Sequence, residues 1–234
     1  MDGLLFLAHR IPFPPNKGDK IRSFHLLRHL AQRYRIYLGA FVDDADDWQY
    51  ADALAPYCAE LKLLPLHPTR SKLKSLTGLL SGEALTLPYY RNTALSAWAR
   101  QRVQDGSVNR GLAFSSAMGQ FMPQGLTRTV MDMVDVDSDK WTQYAPSQRW
   151  PLSWLYAREG RKLADWEARM AQQFDATLLV SGPEAALLQQ RIPYARDKIA
   201  AFENGVDADY FSPERDYPPP FSVEVRAIVF TGAM

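Results

Sequence analysis

The sequence predicts an α/β fold built on an open parallel sheet flanked by helices. Three observations predict it. Short apolar runs recur along the chain and alternate with longer stretches of three- and four-residue apolar spacing, the pattern of strands and helices in turn. The segments between successive runs are long enough for crossover connections, which join parallel strands. Chemistry-bearing residues collect where a run ends and a helical pattern begins. That is the carboxyl end of a strand, where open α/β sheets bind ligands.

The first run, Leu4-Leu5-Phe6-Leu7-Ala8, reads as a buried strand. Ile21, Phe24, Leu27, Leu30 and Ala31 then recur at helical spacing. Residues 35–42 read as the second strand. The acidic segment from Asp43 to Asp47 opens a helix through about Cys58, since acids suit a helix start. Residues 59–66 read as the third strand. Residues 69–80 are a short helix candidate in which Arg70, Lys72 and Lys74 stand beside Leu73, Leu76, Leu79 and Leu80. That mix fits a membrane-surface helix. It also fits a solvated helix with one apolar face toward the core, and the small size of the basic cluster favours this second reading.

Leu87-Pro88-Tyr89-Tyr90-Arg91-Asn92 reads as an aromatic loop, and residues 93–104 as a helix. Residues 111–118 read as a buried strand ending in small polar residues, and residues 127–134 as the next strand. Residues 150–174 carry a long helical pattern. Residues 176–180 read as a strand, followed by a helix with Ser181 as N-cap and Pro183 in its first turn. Residues 198–202 form the following strand, which ends at the turn Asn204-Gly205-Val206-Asp207. Beyond Tyr217-Pro218-Pro219-Pro220 the run from Val225 to Gly232 reads as one more strand entering a glycine turn. The expected organisation is one domain over residues 1–216, a stiff linker at 217–221, and the first strand of a second domain, cut off, at 222–234.

Composition limits the function classes. The chain has 234 residues, 47% hydrophobic and 23% charged, with 27 Lys+Arg against 26 Asp+Glu and a net charge of +1. That balance argues against a nucleic-acid binder relying on bulk charge. The single cysteine, Cys58, excludes an intrachain disulfide framework and a cysteine metal cluster. It points to a reducing, cytoplasmic compartment. No run approaches the ~18 apolar residues that span a bilayer, so membrane contact is expected to be peripheral at most.

Two stretches carry candidate chemistry. In Phe13-Pro14-Pro15-Asn16-Lys17-Gly18-Asp19-Lys20-Ile21-Arg22, Gly18 permits a tight turn and close approach of a ligand. The following helix offers its N-terminus to an anion, and Lys17, Lys20 and Arg22 add positive charge. The same residues are also ordinary loop chemistry. Neither a G-x-G-x-x-G nor a G-x-x-x-x-G-K-[ST] pattern is present. In the second stretch Asp132, Asp135, Asp137 and Asp139 crowd a strand-to-helix turn. They could cap the helix, orient hydroxyls, or supply a base if desolvated; capping is the better account of Asp137 and Asp139. An EF-hand reading fails on spacing. His25 and His29 stand four apart on one helix with no third ligand evident, so no metal site is expected.

Taken together, the glycine-bearing first loop, the Val-Ser-Gly-Pro-Glu segment at 180–184, and Asn204-Gly205-Val206-Asp207 followed by Phe211 and Pro213 resemble the N-terminal half of a family 4 glycosyltransferase of the GT-B fold. The first loop, Phe114-Ser115-Ser116-Ala117-Met118 and the segment from Met131 to Trp141 are similar to sugar transferases associated with PEP-CTERM/exosortase systems. The resemblance covers essentially the whole chain. It implies a Rossmann-like acceptor-side domain facing a donor domain across a cleft. It also implies sugar transfer with retention from a nucleotide sugar to a saccharide or lipid-linked acceptor, in exopolysaccharide biosynthesis. No cofactor or metal is implied. By the resemblance Gly18 is the first-loop glycine beside donor phosphate and acceptor, and Asn204, Gly205 and Asp207 form the hinge-side turn. From the residues themselves, Lys17, Asp19 and Lys20 are expected with Gly18 in that loop, His9, Ser115 and Ser116 at the acceptor, and Asp132 and Asp135 as the catalytic candidates. Many family members carry a histidine where this chain has Ser115-Ser116-Ala117. The chain alone, without a donor domain, is expected to be inactive. Expected partners are the nucleotide sugar, the acceptor and peripherally the inner membrane, with no nucleic acid. The rival readings are a complete Rossmann nucleotide-binding domain and a non-catalytic module recruiting a membrane assembly.

Overall fold

The structure is a computed structural model that describes residues 1–209, 211, 212 and 214–218. The chain divides into two compact units, Met1–Glu203 and Asn204–Met234. The predicted strand within residues 222–234 and the far end of the 217–221 linker lie outside the described residues.

The first unit holds a seven-stranded, all-parallel sheet. Its strands are β1 (Gly3–Ala8), β2 (Arg35–Val42), β3 (Glu60–Pro65), β4 (Arg110–Phe114), β5 (Arg128–Val134), β6 (Ala176–Leu179) and β7 (Ile199–Ala201). They lie in the order β3-β2-β1-β4-β5-β6-β7, so the fold is Rossmann-like. The principal helices are α1 (Gly18–Leu30), α2 (Ala51–Leu54), α3 (Pro68–Ser75), α4 (Thr77–Ser81), α5 (Thr86–Tyr90), α6 (Thr93–Gln104), α7 (Asp137–Tyr144), α8 (Leu152–Gln173) and α9 (Gly182–Arg191).

Side-chain alternation along each strand feeds two cores, one on each face of the sheet. Along β1, Leu4, Phe6 and Ala8 enter one cluster, with Ile36, Leu38 and Leu112. Leu5 and Leu7 enter the other, with Tyr37, Phe41 and Trp98. Gly39 of β2 faces this second side. A Cβ there would stand 2.8 Å from Leu95 and 2.9 Å from Trp98, both on α6, so the glycine sets how closely α6 approaches the sheet.

Several expectations need correction. The acidic segment after β2 is a 3-10 turn rather than a continuous α-helix. The Asp44 side chain accepts from the Asp46 amide at 3.1 Å, so a cap is there but Pro56 limits the α-helix behind it. The predicted strand at 111–118 ends at Phe114, because Ser115 takes φ 77° and a 3-10 turn follows. The predicted aromatic loop at 87–92 is helical as far as Tyr90, the end of α5. Its first amides, Leu85 and Thr86, donate to the buried Glu159 carboxylate of α8 at 2.7 and 3.0 Å. The helix is capped from a distant segment rather than by its own sequence. Asn92 caps α6, accepting from the Ala94 and Leu95 amides.

Candidate functional site

The strand order reverses between β1 and β4: β2 and β3 build outward on one side, β5 to β7 on the other. Such a switch point opens a crevice at the carboxyl ends of its two strands. Ala8 pairs in register with Phe114, so the next residues along, His9 and Ser115, flank that crevice.

His9 is its centre. The imidazole stacks on the Phe114 ring at 5.8 Å, nearly parallel, and meets the edge of Tyr90 at 6.2 Å. Its Nε2 lies 3.3 Å from Oδ2 of Asp19, at the start of α1. Its Nδ1 is buried and has no hydrogen-bond partner. The Asp19 carboxyl is held well below the usual carboxylate range, first by the hydrogen bond from His9, then by the Arg10 charge and the Lys20 amide. Arg10 braces the arrangement, donating to Asp19 at 2.9 Å and to Asp43 at 2.8–3.0 Å. Ser116, after β4, is fully buried with its hydroxyl unpartnered, while its carbonyl accepts from the Trp166 indole at 2.9 Å. Ser115 and Val134, closing β4 and β5, both take left-handed φ, 77° and 69°. That conformation is uncommon for serine and costly for a β-branched valine.

Asp137 opens α7 at the end of β5. Burial pushes its carboxyl above the ordinary range, with Lys140 pulling it back at 3.7 Å and Asp135 and His9 contributing at longer reach. Tyr90 also stays protonated, since burial carries its hydroxyl above the usual tyrosine range.

The structure redistributes the predicted site. His9, Asp19 and Ser115 gather at the crevice with Ser116 behind them. Lys17 is exposed at the N-cap of α1. Gly18 begins α1 with open space where a Cβ would stand; no tight turn requires it. Lys20 is corrected: its ammonium is buried against Asp47 at 2.6 Å, so it serves the core instead of a phosphate. Asp132 is corrected as well. It is fully buried and takes Arg22 in a two-pronged pair at 2.9 and 3.2 Å, tying α1 to β5. A group with no exposure cannot touch a substrate, so its role is positioning. Asp135 is partly exposed and accepts from Lys140 at 2.6 Å. Asn204, Gly205 and Asp207 belong to the second unit, where the Asp207 carbonyl accepts from the Phe211 amide at 2.9 Å.

Arg10, Tyr90 and Asp137 are site residues that sequence reasoning missed or set aside. The signal for Arg10 and Asp137 was position alone, immediately after a strand; Tyr90 had none, because α5 reaches the crevice from outside the strand ends. Two other depressions, of about 400 and 410 Å³, lie away from this chemistry. One is beside Arg100 and Met122, the other at the amino ends of the strands beside Gly3 and Tyr37. Among the described residues no cluster of three or more His, Cys, Asp or Glu is placed to hold a metal. His25 and His29 are both exposed on α1.

No family model matches the chain, and no curated protein matches it.

Proposed function

We propose that the crevice between β1 and β4 binds a hydroxyl-rich saccharide, as the acceptor side of a retaining glycosyltransferase that takes its donor from a nucleotide sugar. One observation carries this choice of ligand. Most cations around the crevice are already matched: Arg10 to Asp19 and Asp43, Arg22 to Asp132, Lys140 to Asp135, and Lys20 to Asp47, while Lys17 stands exposed at the N-cap of α1. Asp19 also sets a firmly ionised carboxylate at the N-terminus of α1, where a phosphate would otherwise settle. What the crevice offers is hydrogen-bond capacity without net positive charge.

In that reading His9 Nε2–H donates to Asp19, which fixes the ring, and the partly exposed imidazole lines the crevice beside the sugar. The Phe114 and Tyr90 rings hold the imidazole plane. Asp137, half-buried and with a raised proton affinity, is placed to share a second hydroxyl. Positioning of this kind lowers the barrier to transfer by holding reactants together. The resemblance drawn above supplies the transferase class and the link to exopolysaccharide assembly.

The test is saturation-transfer NMR of the chain with a panel of mono- and disaccharides. The reading expects transfer to sugar protons in the wild type and its loss in His9→Phe, which keeps the ring packing and removes both nitrogens. Saccharide signals that are equal in the two proteins, or absent from both, would overturn it.

A further inference from the structure

The leucines of α3 and α4 face the wrong way for a core helix. Leu73 is 72% exposed and Leu80 92%, and Leu76 and Leu79 are exposed as well. The buried positions of these helices are Ser71 and Gly78. Small residues therefore face the protein and large apolar ones face outward, the reverse of an ordinary surface helix.

Gly78 fixes where this face stands. Its carbonyl accepts from the buried Arg158 guanidinium of α8 at 2.7 Å. Trp154 lies one turn before Arg158 on the same side of α8 and is 52% exposed; Trp150, just ahead of the helix, is 82% exposed. The outward leucines and outward tryptophans thus belong to adjoining elements.

Charge separates the possible occupants. Residues 67–82 contain Arg70, Lys72 and Lys74 and no carboxylate, and residues 140–158 contain no Asp or Glu either. The acids that border the face are spent: Glu83 pairs with Arg91, and buried Glu159 accepts from the amides of α5. In a chain with 27 basic and 26 acidic residues, this is a local excess of positive charge. Two copies meeting through the same face would set like charges together. A negatively charged lipid surface complements it instead. Tryptophan settles at the headgroup level, leucine below it, and lysine and arginine meet anionic heads.

We infer that the α3–α4 face, together with Trp150 and Trp154, docks on the surface of an anionic bilayer. The inference is independent of what the crevice binds. Its test is co-sedimentation of the chain with vesicles of equimolar phosphatidylcholine and phosphatidylglycerol, and with vesicles of phosphatidylcholine alone, at low and high salt. The expected result is sedimentation with the anionic vesicles that weakens as salt rises. Arg70→Ala/Lys72→Ala should lower partitioning by about 25-fold, at about five-fold per cation. Leu73→Ser/Leu80→Ser should lower it at least about 100-fold. All four positions are exposed, and far-UV circular dichroism with a urea midpoint verifies that each variant folds. Absence of sedimentation would overturn the inference, as would equal binding to both vesicle types that is insensitive to salt and to Arg70→Ala/Lys72→Ala. A concentration-dependent dimer lost in Leu73→Ser/Leu80→Ser, without vesicle binding, would assign the face to a second copy and also overturn it.

Discussion

Glu167 makes stability fall as pH rises from the acid range toward neutrality. It is buried on α8 and accepts from the Ser138 amide at 3.0 Å and the Ser138 hydroxyl at 2.5 Å. Burial pushes its carboxyl up to about 7; the Ser138 bonds and Arg191 pull downward, and Asp137 pushes further upward. In the unfolded chain the group titrates near its ordinary value of 4.5. Between those values the folded protein keeps a proton that the unfolded chain has released. Stability is therefore lost across that window and not regained above it. A shift of this size corresponds to roughly 3 kcal/mol. Glu167→Gln removes the titration while its amide still accepts from the Ser138 N–H and donates to the hydroxyl. Urea denaturation of both proteins, followed by tryptophan fluorescence at several pH values, isolates the effect from the other carboxylates. The unfolding free energy of wild type minus variant should fall by roughly 3 kcal/mol from about pH 4 to about pH 8. A difference that stays constant across that range would refute the reasoning.

Removing the Asp132 carboxylate leaves the Arg22 guanidinium buried without its main counter-charge, so Asp132→Ala should lose about 3–5 kcal/mol in the same denaturation assay. Gly18→Ala meets open space at the start of α1. It should keep or slightly raise stability, so a fall in saccharide saturation transfer with an unchanged urea midpoint would locate a ligand against that backbone. Gly119→Ala would bring a Cβ within 2.5 Å of the Met170 sulfur and 2.7 Å of the Met131 methyl. It should cost about 1–3 kcal/mol by overpacking, read as a lowered urea midpoint.

Most strands were legible because both faces of a parallel sheet are covered, which writes each strand as an unbroken apolar run. Their lateral order was not, since it depends on pairing between distant runs. The same distance explains the misplaced site residues. Lys20 and Asp132 sit at the right places in sequence for a ligand, but their charges are taken by Asp47 and Arg22, 27 and 110 residues away. α5 was hidden because its cap, Glu159, lies 74 residues beyond Leu85. The leucines of α3 and α4 gave an amphipathic pattern without saying which side meets the core; Gly78 under Arg158 decides that. His9 was legible as a strand-end residue, whereas its dependence on Asp19, Phe114 and Tyr90 was not.

The most direct test of the crevice as a saccharide site is calorimetric titration of the chain at moderate salt. It would run against a panel of nucleotides and nucleotide sugars and, in parallel, against neutral oligosaccharides. With Arg10, Lys20, Arg22 and Lys140 already paired, the chain should give no micromolar nucleotide binding, and the oligosaccharide heat should disappear in His9→Phe. Micromolar nucleotide binding that survives His9→Phe, with no oligosaccharide heat, would contradict the account and make this a nucleotide-binding domain.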